Sequence, residues 1–377
     1  MENLAQHFPI LRSLTFLNHA GVAPISGPAA QQLRHYAQQA ESQAYFGSDW
    51  YAGVRRVKQQ AARLVNATSE REIAFVANTS TGLSMVAGGL DWAEGDNVVI
   101  TGVEYPANRY PWEHLGRRGV ELIVVPQEPD GRIPEEEVCE AVNDRTRVVS
   151  VSHVQYSNGF RLDLRPISDM VHRAGGYLCV DAIQSVGALP VDVQTMGIDF
   201  LSADGHKWLL GPEGCGIFYC REDLIELLQP PVVGWMCMVE ANRYGDYRYE
   251  LETDARRFEP GSYNVAGILA MGASIALLLD YGIENVWARI DDLTQYLCDG
   301  LTGIGCRVLS PRDPDERSGI VTFDPPDSAG SRAEIIAKLA AEKIVIVERE
   351  GHLRVSPHFY NTSQQMDQLV EGLRVEG

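Results

Sequence analysis

The stretch YLCVDAIQSVGALPVDVQTMGIDFLSADGHKWLLGPEGCGIFY, Tyr177 to Tyr219, decides the fold. Its apolar runs are short and broken by Gly and Pro. Tyr177–Val180, Ile198–Ala203 and Cys215–Tyr219 read as strands buried on both faces, the pattern of a sheet with helices on either side. Such sheets bind ligands beyond the carboxyl ends of their strands. Here those ends carry Asp181, Gln184 and Lys207.

Each of the three has an ordinary reading by itself, as a surface charge, a cap or a turn. Together they match one cofactor, pyridoxal 5'-phosphate. A lysine amine forms a Schiff base with its aldehyde. A carboxylate beside the pyridine nitrogen keeps it protonated, so that the ring accepts electrons from a carbanion. An amide at the ring hydroxyl trims the electronics of the imine. Lys207 is assigned to the aldehyde, Asp181 to the ring nitrogen and Gln184 to the hydroxyl.

The same β-α-β grammar extends outward. Ile73–Val76, Asn97–Thr101, Glu121–Val125 and Thr146–Val151 are further strands, and Leu162–Gly175 is a helix, which implies a mainly parallel sheet. Asn78-Thr79-Ser80-Thr81-Gly82 is a small polar turn opening a helix. Helix N-termini bind phosphate, and Ser80 and Thr81 add hydroxyls; the same residues also serve as ordinary caps. Gly82 would let the helix start close to the ligand. Phe16–Pro24 is a short strand entering a Gly/Pro loop. The helical segment that follows carries Tyr36, Tyr45, Phe46, Trp50 and Tyr51, expected in the core or at a subunit interface. The run Gly211–Gly216 precedes a strand instead of opening a helix, so it is no dinucleotide fingerprint. From about Glu284 the pattern becomes that of a small α+β unit. The expected domains are 15–283, and 284–377 together with 1–14.

Asp181-x-x-Gln184 followed by Gly205-His206-Lys207 resembles the class V aminotransferase group of fold-type I pyridoxal phosphate enzymes. That group includes cysteine desulfurases, selenocysteine lyases, kynureninase and isopenicillin N epimerase-like proteins. The resemblance covers nearly the whole chain. It implies an α/β fold with a large domain on a mainly parallel sheet of the seven-stranded type and a small α+β C-terminal domain. It places the phosphate at Ser80 and Thr81 with His206, and a ring-stacking residue at Tyr105, where desulfurases carry His. Relatives often have Ser where Asp204 stands; a carboxylate there repels a phosphate unless it points away, so Asp204 is not carried over. The resemblance further implies that Arg354 grips the substrate α-carboxylate, a task suited to its planar fork, with weaker support for Arg349. Ala20 and Gly21 become candidate backbone contacts. His153, Gln155 and Tyr156 are candidates for reaching substrate or ring, with Tyr156 preferred. Ser262 is expected to reach the phosphate of a neighbouring subunit, implying a homodimer with shared sites. The group II desulfurase loop that carries a catalytic Cys is replaced by the short Glu348-Arg349-Glu350-Gly351-His352.

Composition bounds the remainder. The net charge of −19 disfavours nucleic acid and anionic membrane as partners. The seven cysteines are scattered without a C-x-x-C pair, which points to a reducing, cytoplasmic setting. Cys237 is read as a small hydrophobe rather than a nucleophile. No metal set is expected, no signal peptide is read at the N-terminus, and the longest apolar stretch, Leu269–Leu279, is short for a bilayer. The expected activity is at the α-carbon of an amino acid, lyase-type (β-elimination, C–S lyase-like) or aminotransferase. A cysteine desulfurase, an epimerase and a non-catalytic cofactor sensor are the alternatives.

Overall fold

The computed structural model describes residues 4–374. In chain order it begins with α1 (Leu4–His7), β1 (Thr15–Phe16), α2 (Gly27–Gln43) and α3 (Trp50–Leu64). The large sheet and its crossovers follow: β2 (Ile73–Val76), α4 (Thr79–Gly89), β3 (Asn97–Thr101), α5 (Tyr110–Glu113), β4 (Glu121–Val125), α6 (Glu135–Ala141), β5 (Thr146–Ser152), α7 (Leu164–Arg173), β6 (Tyr177–Asp181), β7 (Phe200–Asp204) and β8 (Gly216–Cys220). Two long helices come next, α8 (Val265–Tyr281) and α9 (Ile283–Gly303). The chain ends with β9 (Arg307–Val308), β10 (Val321–Asp324), α10 (Arg332–Ala341), β11 (Ile344–Val345), β12 (Val347–Arg349), β13 (His352–Val355) and α11 (Ser363–Leu373).

The seven-stranded sheet has the order β2-β8-β7-β6-β5-β3-β4. Only β8 runs against its neighbours. Successive residues alternate between two apolar layers, as the period of a strand requires. Leu178, Val180 and Leu201 enter one layer; Cys179, Phe200 and Phe218 enter the other. A strand buried on both faces has no polar side, which is why these segments read as continuous apolar runs.

Helix α8 is apolar around its circumference because it packs against both α2 and α3. Among the described residues no single helix is long and apolar enough to cross a membrane. The buried Lys58 of α3 donates to Glu259 at 2.7 Å, and Glu259 also accepts from the Phe75 amide and the Tyr263 hydroxyl. This cluster fixes the approach to α8. Of the aromatics expected in the core or at an interface, Tyr36 and Trp50 pack on each other, while Tyr45, Phe46 and Tyr51 are exposed on this chain.

The C-terminal unit is a four-stranded antiparallel sheet, β12-β13-β10-β9, backed by α9, α10 and α11. Residues 15–18, expected at the start of the large domain, pair with this unit instead. Strand β1 adds in parallel to β11, Asn18 bridges to Ser356, and Leu17 sits in the small core. The loop beyond Asn18 is thereby carried from the small unit across to the carboxyl edge of the large sheet.

Candidate active site

The carboxyl ends of β2, β3, β5, β6 and β7 open on one cavity of about 510 Å³. Lys207, Asp181 and Gln184 all line it. Asp181 is the last residue of β6, and its carboxylate accepts from the Ile183 amide at 3.0 Å. Burial, then the carboxylate of Glu104, raise its pKa, while the Ile183 N–H and Lys207 pull the other way. Lys207 lies just past β7. Burial lowers its pKa, so a larger share of the amine is neutral and nucleophilic near neutral pH. Its Nζ sits 5.6 Å from the centroid of the Tyr105 ring.

Gln184 is held at both ends of its amide. The Trp208 indole N–H donates to Oε1 at 2.9 Å, and Nε2 donates to the Ala20 carbonyl at 3.1 Å. Trp208 is fully buried beneath Lys207's own turn. Gly187 makes that turn possible: it has φ +95°, and a Cβ there would stand 2.5 Å from the Trp208 carbonyl.

The start of α4 forms another wall through Asn78, Thr79 and Ser80. Asn78 is the cap, accepting from the Thr81 amide and hydroxyl at 2.9 and 3.0 Å. The Thr81 hydroxyl is therefore turned away, and Thr79 stands in the lining where Thr81 was expected. Thr79 also ties the helix to β7, accepting from the Asp204 amide at 3.1 Å. Gly82 serves this same seam: a Cβ would lie 2.2 Å from the Ser202 hydroxyl of β7. Asp204 and His206 line the cavity beside this helix start.

At the mouth, Arg354 is 1 % exposed yet has no carboxylate partner among the described residues. It donates to the Tyr156 carbonyl at 2.6 Å and to Asn18 Oδ1 at 3.4 Å, and its Nε is unpartnered. Burial, then the nearby Arg349, draw its pKa down to about 10. A guanidinium in this state calls for an anion. Tyr156 packs edge-on to Tyr105 and donates its hydroxyl to Glu350 at 2.7 Å. Gly21 and Ala20 also line the cavity.

Other candidates lie elsewhere. His153 is buried outside the lining, and burial, helped by Arg161, pushes its pKa down to about 3, so it is a neutral structural imidazole. Gln155 donates to Glu104. Ser262 is exposed and outside the cavity of its own chain. Cys237 is buried with its thiol against Gly234. Sequence reasoning passed over Glu104, a buried carboxylate that accepts from Thr101, Asn108 and Ser152 and anchors the loop bearing Tyr105. Its only signal is a charged residue in the short loop that follows a buried strand.

Three buried polar atoms in this lining make no hydrogen bond among the described residues: Asp204 Oδ1, His206 Nδ1 and Arg354 Nε. Unsatisfied groups of that kind mark places a ligand completes. An amine, a ring-facing carboxylate, a donor amide and a helix start around one cavity fit pyridoxal 5'-phosphate.

The family model described as Aminotransferase class-V matches residues 16–369. A probable cysteine desulfurase of Methanothermobacter thermautotrophicus is 32 % identical, covering 99 % of this chain and 97 % of that protein. An uncharacterized aminotransferase of Bacillus subtilis, YcbU, is 28 % identical over 98 % and 96 % of the two chains. Among solved structures, the apo cysteine desulfurase of Thermococcus onnurineus superposes with a TM-score of 0.89 at 22 % identity, covering 98 % of this chain and 96 % of that one. The cystine C–S lyase C-DES, in complex with its product cysteine persulfide, superposes at 0.87 with 23 % identity over 97 % and 98 %.

Proposed function

Because the chain belongs to the aminotransferase class-V family, we propose that it is a pyridoxal 5'-phosphate enzyme acting at the α-carbon of an amino acid, by β-elimination of the C–S lyase type. The observation that carries this reading is the placement of Lys207 and Asp181 in one buried cavity with an unneutralised arginine at its mouth. When bound, the cofactor supplies an aldehyde and a ring that stabilises negative charge at the substrate α-carbon.

The residues divide the remaining work. Lys207 would hold the aldehyde, and its Nζ would be the base that moves the substrate α-proton. Asp181 holds the ring nitrogen in its protonated form. Gln184 presents Nε2 as a donor, and Tyr105 would supply the aromatic surface against which the ring is held. Ser80, Thr79 and the first amides of α4 hold the phosphate. Arg354 takes the substrate α-carboxylate. No cysteine is among the described residues lining the cavity, which supports elimination or transamination over sulfur relay through a protein thiol. We place the enzyme in the cytoplasm as a homodimer. The exposure of Ser262, Tyr45 and Phe46 on a single chain supports a second copy.

Lys207→Ala tests the assignment. The variant should lose the absorbance of the imine between Lys207 and the cofactor, and all turnover. Wild-type protein should release pyruvate and ammonia, with a sulfur product, from sulfur amino acids. Full activity in the variant would refute the role of Lys207; exchange of keto acids without pyruvate would move the activity to transamination.

A further inference from the structure

The end of the cavity beside α4 contains a carboxylate where an anion is to be received. Asp204 is 5 % exposed and lines the cavity. Its backbone amide donates to Thr79 Oγ1, which holds the main chain of β7 against the helix start and places this carboxylate beside it. Its Oδ1 has no partner, and its Oδ2 lies 3.1 Å from His206 Nδ1, in contact but not in hydrogen-bond alignment. His206 Nδ1 makes no other polar contact among the described residues.

The other groups facing Asp204 do not balance it against a phosphate. Lys207 is near enough to feel its charge but is committed to the aldehyde. The Cys215 thiol, buried on the adjoining strand, stays protonated because burial and then Asp204 push its pKa up. Arg349 and Arg354 belong with Tyr156 and Glu350 at the mouth. A phosphate monoester brings between one and two negative charges at neutral pH. Only one group at this end gains charge by taking a proton beside Asp204, and that is His206.

We propose that Asp204 and His206 form a proton-holding pair, so that loading of the phosphate takes up one proton that the phosphate-free ring does not require. The balance is a carboxylate and a neutral imidazole, plus one proton and the phosphate dianion, giving a carboxylate–imidazolium pair against the bound phosphate. Asp204 thus serves the phosphate through His206 and is a positioning residue. This rests on the cofactor reading above and refines it.

The test is calorimetric titration of the apo-protein with pyridoxal 5'-phosphate and with pyridoxal. Each is run in two buffers of different ionisation enthalpy at about pH 8, so that bound protons are counted directly. Proton changes at Lys207 are common to both ligands and cancel in the difference. Wild-type protein should take up about one more proton with the phosphate ester. Its preference for the ester over pyridoxal should weaken about tenfold per pH unit on the alkaline side. In Asp204→Asn and Asp204→Ser the extra proton should vanish and the preference should become flat with pH. The same proton count in wild type and both variants would overturn the pair. Failure of pyridoxal 5'-phosphate itself to bind wild-type protein would instead overturn the cofactor reading from which it starts.

Discussion

The indole N–H of Trp208 reaches Gln184 Oε1 at 2.9 Å, and this single bond settles which end of the amide faces which way. With Oε1 accepting from the indole and one Nε2 hydrogen on Ala20, the second Nε2 hydrogen is left as a donor. Gln184 can then meet an oxygen on the cofactor only by donating to it. Trp208→Phe keeps the ring and removes the N–H. We expect the buried Oε1 to lose its partner at a cost of about 1–3 kcal/mol in stability. The freed amide should flip part of the time. The pH response of the bound cofactor's absorbance should then shift by about one unit, and kcat should drop about tenfold. A purely structural Trp208 would lower the melting temperature and leave the spectral titration in place.

The hairpin between β12 and β13 shows a conflict between local preference and position. Its loop is two residues, Glu350 and Gly351, both with positive φ (48° and 79°). That is the geometry of a two-residue turn that favours Asn-Gly. A glutamate in the left-handed region costs on the order of 1 kcal/mol. Its carboxylate is held by the Tyr156 hydroxyl at 2.7 Å, and burial, then that hydrogen bond, raise the Tyr156 pKa to about 12. Glu350→Asn suits the turn but is too short for Tyr156. Its urea midpoint should therefore hold or rise, while KM for the amino acid increases severalfold; a lower midpoint with unchanged KM would mean that Glu350 serves the hairpin alone. Elements of this kind mark the limit of what the sequence discloses. The strands around Asp181 and Lys207 are legible because burial on both faces forces continuous apolar runs. Asp181, Gln184 and Lys207 are legible because strand ends are where polar residues break those runs. Which hydroxyl of Thr79, Ser80 and Thr81 faces the cavity depends on where α4 starts, since each residue turns the helix by about 100°, and the Asn78 cap decides that. The contacts of Glu350 with Tyr156, of Trp208 with Gln184 and of β1 with β11 join residues far apart in the chain, so no local pattern encodes them.

Across the whole molecule, the seam between the small unit and the large sheet is built on uncharged histidines. His358 Nδ1 accepts from the Phe359 amide at 2.8 Å, so its Nε2 carries the hydrogen and donates to the Trp208 carbonyl at 3.0 Å. His19 contacts the Ser356 carbonyl through Nδ1 at 2.8 Å and the Tyr360 hydroxyl through Nε2 at 2.5 Å. The seam thus bears directly on the residue after Lys207. Burial lowers the His358 pKa from 6.5 to about 4, and drives His19 well below its ordinary value. A depressed folded-state pKa contributes stability that is fully present above the unfolded value and is lost as pH falls through the folded one. For His358 the window runs from 6.5 down to about 4. Within it the unfolded chain binds more protons, so stability falls with acid by up to about 1.4 kcal/mol per pH unit for each such histidine. The raised pKa of Asp181 has the opposite sign, since there the folded state binds the extra proton. That opposing contribution is common to wild type and a histidine variant and cancels between them. His358→Gln retains a donor amide for the Trp208 carbonyl and cannot take the proton. It should be less stable than wild type at neutral pH but lose stability more slowly on acidification, with the difference in slope worth one proton. Unfolding midpoints measured as a pH series read this directly. Parallel slopes would mean that His358 does not gain a proton on unfolding, and that the acid sensitivity of the seam is carried by His19 and the carboxylates instead.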